Sequence, residues 1–154
     1  MNKDQRIQRA RELFLQGYNC SQSVFCAYAE DYGIPMGTAL RLSASFGGGI
    51  GRMRETCGAV CGMAMLLGME TGQTAPDDAK QKQENYQAVQ SLAEKFRQKN
   101  GSIKCSELLQ LRKGAAITSV PDERTAEYYK QRPCLRMVES AVELFEQFKA
   151  DLTN

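Results

Sequence analysis

Between Cys57 and Met69 the chain offers no polar side chain at all. A helix made from such a stretch has no face to turn toward water, so other elements must enclose it. Its apolar heart, Ala59 to Leu67, is far too short to cross a bilayer. The fold must therefore build a shell around one central buried helix.

The remaining apolar residues supply that shell at helical spacing. Ile7, Ala10 and Phe14 share a face of a first helix that stops near Gly17. A second is predicted from about Cys20 to Tyr32, with Val24, Ala27 and Tyr28 inward, ended by Gly33-Ile34-Pro35. A third runs from about Met36 to Ser45. After the central helix, Gly72 to Pro76 forms a loop, and a long helix spans Asp77 to about Asn100, with Ala79, Tyr86, Val89, Ala93 and Phe96 on one face and Gly101 as its cap. A short helix follows from Cys105 to Leu111, and Pro121 opens another short piece. The last helix starts at Pro133-Cys134 and carries Val138, Ala141, Val142, Phe145, Phe148 and Leu152. Alternating strand patterns are nearly absent, with Ala115 to Val120 the only candidate. The expectation is an all-α bundle: one domain over residues 1–154, with about five main helices and one or two short extra ones.

The length of 154 residues suits one domain with a real core, and 42% hydrophobic with 25% charged residues is an ordinary globular balance. A formal charge of +2, without blocks of like charge, argues against a nucleic-acid partner or an anionic membrane. The N-terminal residues Met1 to Arg6 contain no apolar leader core, so a cytoplasmic location is expected, with no membrane insertion. Small helical domains often gain burial by dimerising, and a homodimer stays open.

Histidine and tryptophan are both absent, which removes the imidazole base, the imidazole metal ligand and the C-x-x-C-H haem attachment. Six cysteines remain as the main chemistry: Cys20, Cys26, Cys57, Cys61, Cys105 and Cys134. In a reducing compartment such residues serve as thiols, metal ligands or catalytic disulfides more often than as crosslinks. Four share one property. Cys20 follows Asn19, Cys57 follows Thr56, Cys105 precedes Ser106-Glu107 and Cys134 follows Pro133, each a signature of a helix entrance. Unpaired N–H groups and the positive dipole end favour thiolate there, and can donate hydrogen bonds to the sulfurs of a cluster. Cys26 reads as a core residue inside its helix. Cys61, one turn beyond Cys57, is either a resolving thiol or spare ligand, or core. The spacing of the four matches no C-x-x-C or zinc-ribbon pair, so a shared site requires the tertiary fold to assemble it.

Ahead of the central helix lies Phe46-Gly47-Gly48-Gly49-Ile50-Gly51-Arg52. Neither a Walker A pattern nor G-x-G-x-x-G fits. The favoured reading is a loop that lets backbone approach a cofactor or helix without Cβ clashes, which makes Gly47, Gly48, Gly49 and Gly58 candidate cofactor-approach positions. Gly62 is read with Gly58 as a close-packing position. An anion site using loop amides with Arg52 and Arg54 is the alternative, though solvated arginines are the default.

The stretches Gly17-Tyr18-Asn19-Cys20, Cys57-Gly58-Ala59-Val60-Cys61-Gly62, Lys104-Cys105-Ser106-Glu107 and Arg132-Pro133-Cys134, in that order, resemble the C_GCAxxG_C_C family, small proteins of proposed redox activity. The resemblance spans nearly the whole chain and implies that Cys20, Cys57, Cys105 and Cys134 act together. A similar domain in split-Soret cytochromes accompanies haem and an iron–sulfur centre. That favours a cluster here, while the missing attachment motif means haem does not carry over. Cys26 and Cys61 fall outside the family's four.

The leading expectation is therefore an iron–sulfur cluster held by Cys20, Cys57, Cys105 and Cys134, exchanging electrons with an unknown redox partner. Thiol–disulfide chemistry by the same residues, with Cys57 as attacking thiolate, is the second. Zinc held by four thiolates is a structural third. A helical interaction module whose cysteines only pack is the non-redox alternative, with Met63, Met65 and Met69 then forming an adaptable surface.

Overall fold

The computed structural model describes all 154 residues and is all-α. Five longer helices, α1 (Lys3–Leu15), α3 (Met36–Ala44), α4 (Gly58–Thr71), α5 (Ala79–Asn100) and α8 (Cys134–Leu152), carry the bundle. Three short ones, α2 (Cys20–Cys26), α6 (Cys105–Leu108) and α7 (Ala126–Gln131), are one more than expected. No helix is long and apolar enough to cross a membrane.

The apolar helix α4 is the centre, packed against α2, α5 and α8. Its first turns are enclosed (Ala59, Val60, Met63, Leu66 and Leu67 are buried), whereas its end surfaces at Met69. Helix α1 closes the bundle against α2 and α8, and α3 lies on α2. One continuous core results, with Phe14, Tyr28, Phe96 and Phe145 as its largest enclosed rings. Tyr28 meets Phe145 edge-on at 5.0 Å between centroids, the arrangement that ring quadrupoles favour. Met63 and Met65 pack in or against this core rather than forming a surface.

Local chemistry sets most helix ends. Asn2 and Asn19 each form a capping box, accepting from the backbone N–H of Gln5 and Gln22 while those glutamines accept in return. Asp78 caps α5 and Thr125 caps α7.

Five sequence expectations need correction. The helix from Cys20 stops at Cys26, and a separate 3-10 turn covers Ala29–Tyr32. The buried Arg6 guanidinium takes the Ala27 carbonyl, which a continuing helix would need for its own ladder. Helix α6 ends at Leu108, not Leu111, because Gln110 takes a left-handed φ of 55°. The piece expected at Pro121 begins only at Ala126, behind the Thr125 cap. Residues 115–120 pair with nothing; the one β-bridge joins Thr56 to Lys104. Finally, Ala79, Tyr86 and Leu152 are exposed, since α5 buries only its later turns through Leu92 and Phe96, and α8 outruns the core.

Candidate functional site

Four helix entrances converge on one cavity of about 340 Å³, and Cys20, Cys57, Cys105 and Cys134 all line it. Cys20, Cys105 and Cys134 are the first residues of α2, α6 and α8, while Cys57 is itself the cap residue of α4.

Each entrance is held by a different device. The Asn19 capping box sets Cys20, and the Asn19 amide also donates to the Ala44 carbonyl at 3.0 Å. The Thr56–Lys104 bridge sets two more. Cys57 N–H donates to Ile103 O at 2.7 Å and Cys105 N–H to Glu55 O at 2.6 Å, so residues far apart in sequence become neighbours. Pro133 opens α8 and places Cys134 on the same cavity wall as Cys20.

The glycines explain how backbone and sulfur approach so closely. A Cβ on Gly49 would lie 2.6 Å from Cys105 Cβ, and one on Gly47 2.3 Å from the Asn19 side chain. At Gly58 the nearest atoms would be Phe46 O at 3.0 Å, Ser21 N at 3.2 Å and Cys20 Cβ at 3.3 Å. Gly48 presses instead on Arg52, and Gly62 on Val24. At these glycines backbone therefore approaches other protein atoms without Cβ clashes.

The cavity mouth is cationic, and of its arginines the sequence offered only Arg52 and Arg54, as an alternative reading. Arg54, expected to be solvated, is only 9% exposed and donates to Cys105 Sγ at 3.7 Å. Arg52, Arg124 and Arg132 line the same mouth with Asp122 and Tyr128. Three of these guanidinium groups, from Arg52, Arg54 and Arg132, face the Asp122 carboxylate. Partial burial works to raise the Asp122 pKa, but the Arg52 hydrogen bond and the charges of Arg132, Arg52 and Arg54 outweigh it and hold it below the usual carboxylate value. Arg124 stacks on Phe14 and Tyr128 and donates to the carbonyls of Phe14 and Tyr18.

Thiolate character is distributed differently from the expectation that all four entrances favour it. Burial drives Cys57 up to about 12, against the opposing pull of the Ala59 and Val60 N–H groups at the start of α4. Cys20 is raised by its hydrogen bond to Cys134 and by burial, and Cys105 by burial despite Arg54. Cys134 alone is lowered, to about 7, by the hydrogen bond from Cys20, then Arg132, the Tyr128 hydroxyl and Arg124, all acting against burial. Desolvation beats the helix-end field wherever no cation or donor faces the sulfur. The low-pKa thiol is therefore Cys134, not Cys57.

Cys26 and Cys61 lie apart from this cavity. Cys26 is buried, 3.7 Å from the Ser43 hydroxyl, and Cys61 donates to Thr56 O at 3.8 Å. All six cysteines are unbridged. No three cysteine, aspartate or glutamate side chains are arranged to hold one metal ion. The donor set nonetheless fits a polynuclear sulfur-ligated group: four sulfurs around an open space, backbone N–H groups at Cys57 and a guanidinium at Cys105.

No curated protein and no solved structure matches the chain significantly. A family model matches residues 18–148, a span that takes in all four cavity cysteines, and the chain belongs to that family, C_GCAxxG_C_C, described as putative redox-active protein.

Proposed function

We propose that the redox activity of this chain is electron transfer through an iron–sulfur cluster held by Cys20, Cys57, Cys105 and Cys134. The observation that carries the reading is that four sulfurs from four helix entrances line one cavity beneath a ring of arginines. Such a cluster, when bound, supplies one-electron chemistry at a potential set by its protein surroundings.

The chain's own groups suit that task. Arg52, Arg54, Arg124 and Arg132 offer positive charge against thiolate ligands, offset only by Asp122. Arg54 donates to the Cys105 sulfur, and the Ala59 and Val60 N–H groups at the start of α4 favour negative charge on Cys57; both raise a potential by stabilising the more reduced, more negative state. Zinc suits the site less well. Tetrahedral zinc–thiolate bonds of about 2.3 Å would need all four sulfurs in mutual contact, whereas no three cysteine, aspartate or glutamate side chains here are arranged to hold one metal ion.

Serine replacement tests the assignment. Cys20→Ser, Cys57→Ser, Cys105→Ser and Cys134→Ser should each lower bound iron in anaerobically prepared protein, while Cys26→Ser and Cys61→Ser should leave it unchanged. Iron that survives all four cavity replacements would overturn the reading.

One observation favours a second reading. Cys20 and Cys134 line the same cavity, and Cys134 has the lowered pKa of an attacking thiolate. In this alternative Cys134, rather than Cys57, attacks an oxidised partner's disulfide, and Cys20 resolves the mixed disulfide, leaving the partner as a dithiol and this chain with a Cys20–Cys134 bond. Thiol counting before and after reductant distinguishes the two, since only the second consumes that pair reversibly in iron-free protein.

A further inference from the structure

Residues 112–123 cross the cavity mouth without regular structure, and nearly all are exposed. Ser119, Pro121 and Asp122 form part of the cavity wall. Only two arginines tie this strap to the body by hydrogen bonds. Arg52 Nη1 donates to Thr118 O at 2.9 Å and Thr118 Oγ1 at 3.0 Å, and its Nη2 donates to Asp122 Oδ2 at 3.0 Å. Arg132 Nη2 donates to the same Oδ2 at 2.8 Å. Arg54 Nη2 stands 3.7 Å from it as a third cation.

Two features make this more than a surface ion pair. First, three guanidinium groups converge on one oxygen of one carboxylate, so most of their N–H donors find no acceptor there and a net positive charge remains. Guanidinium groups recognise oxyanions through paired parallel hydrogen bonds, and a single shared oxygen cannot supply them. Second, Arg52 and Arg54 both hold a φ of 63°. The left-handed region costs a non-glycine residue about 1–2 kcal/mol, and strain of this kind persists where the surroundings enforce it, commonly at functional sites.

We propose that the Arg52–Arg54–Arg132 group is a binding site for a small oxyanion, filled internally by Asp122, and that an oxyanion exchanging with Asp122 frees the 112–123 strap and opens the sulfur cavity. A tetrahedral anion offers each guanidinium its own oxygen, which the lone carboxylate does not. The site brings the charged end of a sulfur-oxyanion, phosphate or carboxylate compound beside the cysteines. The inference rests on the arginines and the strap, and stands whether the sulfurs carry a cluster or cycle as thiols.

Limited trypsin digestion reads the strap directly, because Arg112 and Lys113 sit on its exposed arm. Full-length protein is digested in sulfate, and in chloride at matched ionic strength, and the fragments ending at Arg112 or Lys113 are timed by mass spectrometry. Sulfate should speed these cuts. Its general stabilising action would slow them, so the direction separates exchange from a bulk salt effect. Asp122→Asn should be cut fast in chloride alone. Freed of an internal competitor whose effective concentration is in the millimolar range, it should also bind sulfate about tenfold more tightly by calorimetry. Adding Arg132→Gln should abolish that gain, with helical content unchanged by circular dichroism. Equal cutting of the wild-type chain in sulfate and chloride would overturn the proposal, as would an Asp122→Asn chain that binds sulfate no better than wild type.

Discussion

Replacing Gly49 with alanine, beside the same change at Gly51, separates what the glycine-rich loop does for the cysteine site from what it does for its own backbone. Both residues lie in the left-handed region, with φ of 74° and 59°. Alanine therefore suffers the same conformational penalty at each, about 1–2 kcal/mol. At Gly51 nothing else lies within 4 Å of the new methyl group, so the cost ends there. At Gly49 the methyl would meet Cys105 Cβ at 2.6 Å, Glu55 N at 2.7 Å and Arg54 C at 2.8 Å. Two of these are backbone atoms that cannot swing aside, and overpacking of this kind costs about 1–3 kcal/mol more. Gly49→Ala should thus lose about 2–5 kcal/mol in total. The disturbance should also travel. Glu55 N–H donates to Gly49 O at 2.9 Å and Glu55 O accepts from Cys105 N–H at 2.6 Å, so a displaced loop moves Cys105. Urea unfolding of both variants in the reduced, metal-free state, analysed with a common slope, gives the stability difference. Bound iron per chain in anaerobic preparations gives the site effect, with Gly51→Ala retaining what Gly49→Ala loses. Equal destabilisation and equal iron in the two variants would refute the contact argument.

Alkylation of the reduced, metal-free chain should be led by Cys134, half-maximal near pH 7, while Cys57, raised to about 12, stays protected; peptide mapping against pH reads both. The lowered Cys134 pKa also carries a stability term, complete above the ordinary thiol value and lost as pH falls through about 7, opposite in sign to that of the raised Cys57. Asn19→Ala removes the α2 capping box and the amide bond to Ala44, and should cost about 1–2 kcal/mol in urea unfolding, with bound iron falling as Cys20 loosens. Phe145→Ala, in a fully enclosed core position against Tyr28, should cost about 3–5 kcal/mol and leave the cysteine alkylation pattern unchanged.

What could be read from the amino-acid sequence was written locally. Asn19, Asp78 and Pro133 announce helix starts within a residue or two, and the polar-free run after Cys57 requires burial whatever surrounds it. The four entrance cysteines were visible for the same reason. The rest depends on partners distant in the chain. Arg6 ends α2 by taking the Ala27 carbonyl, and nothing near residue 27 predicts it. The Thr56–Lys104 bridge is a single residue pair, too short for any alternating pattern, yet it sets Cys57 beside Cys105. Helix-end arguments also overstated thiolate character, because they register the field along one helix and not the desolvation that several packed helices impose on Cys20, Cys57 and Cys105. Only the Arg52 and Arg54 part of the arginine mouth could be read locally, because Asp122 and Arg132 join them only after the strap folds back over the cavity.

Iron and acid-labile sulfide, determined together with the visible absorbance of wild-type protein purified without oxygen, bear most directly on the shared sulfur site. Brown protein holding iron and sulfide in equal amounts, bleached when chelator strips the metal, is the expected result. Colourless protein, prepared anaerobically from iron-replete cells, with no iron and with all four cavity thiols open to titration would contradict it.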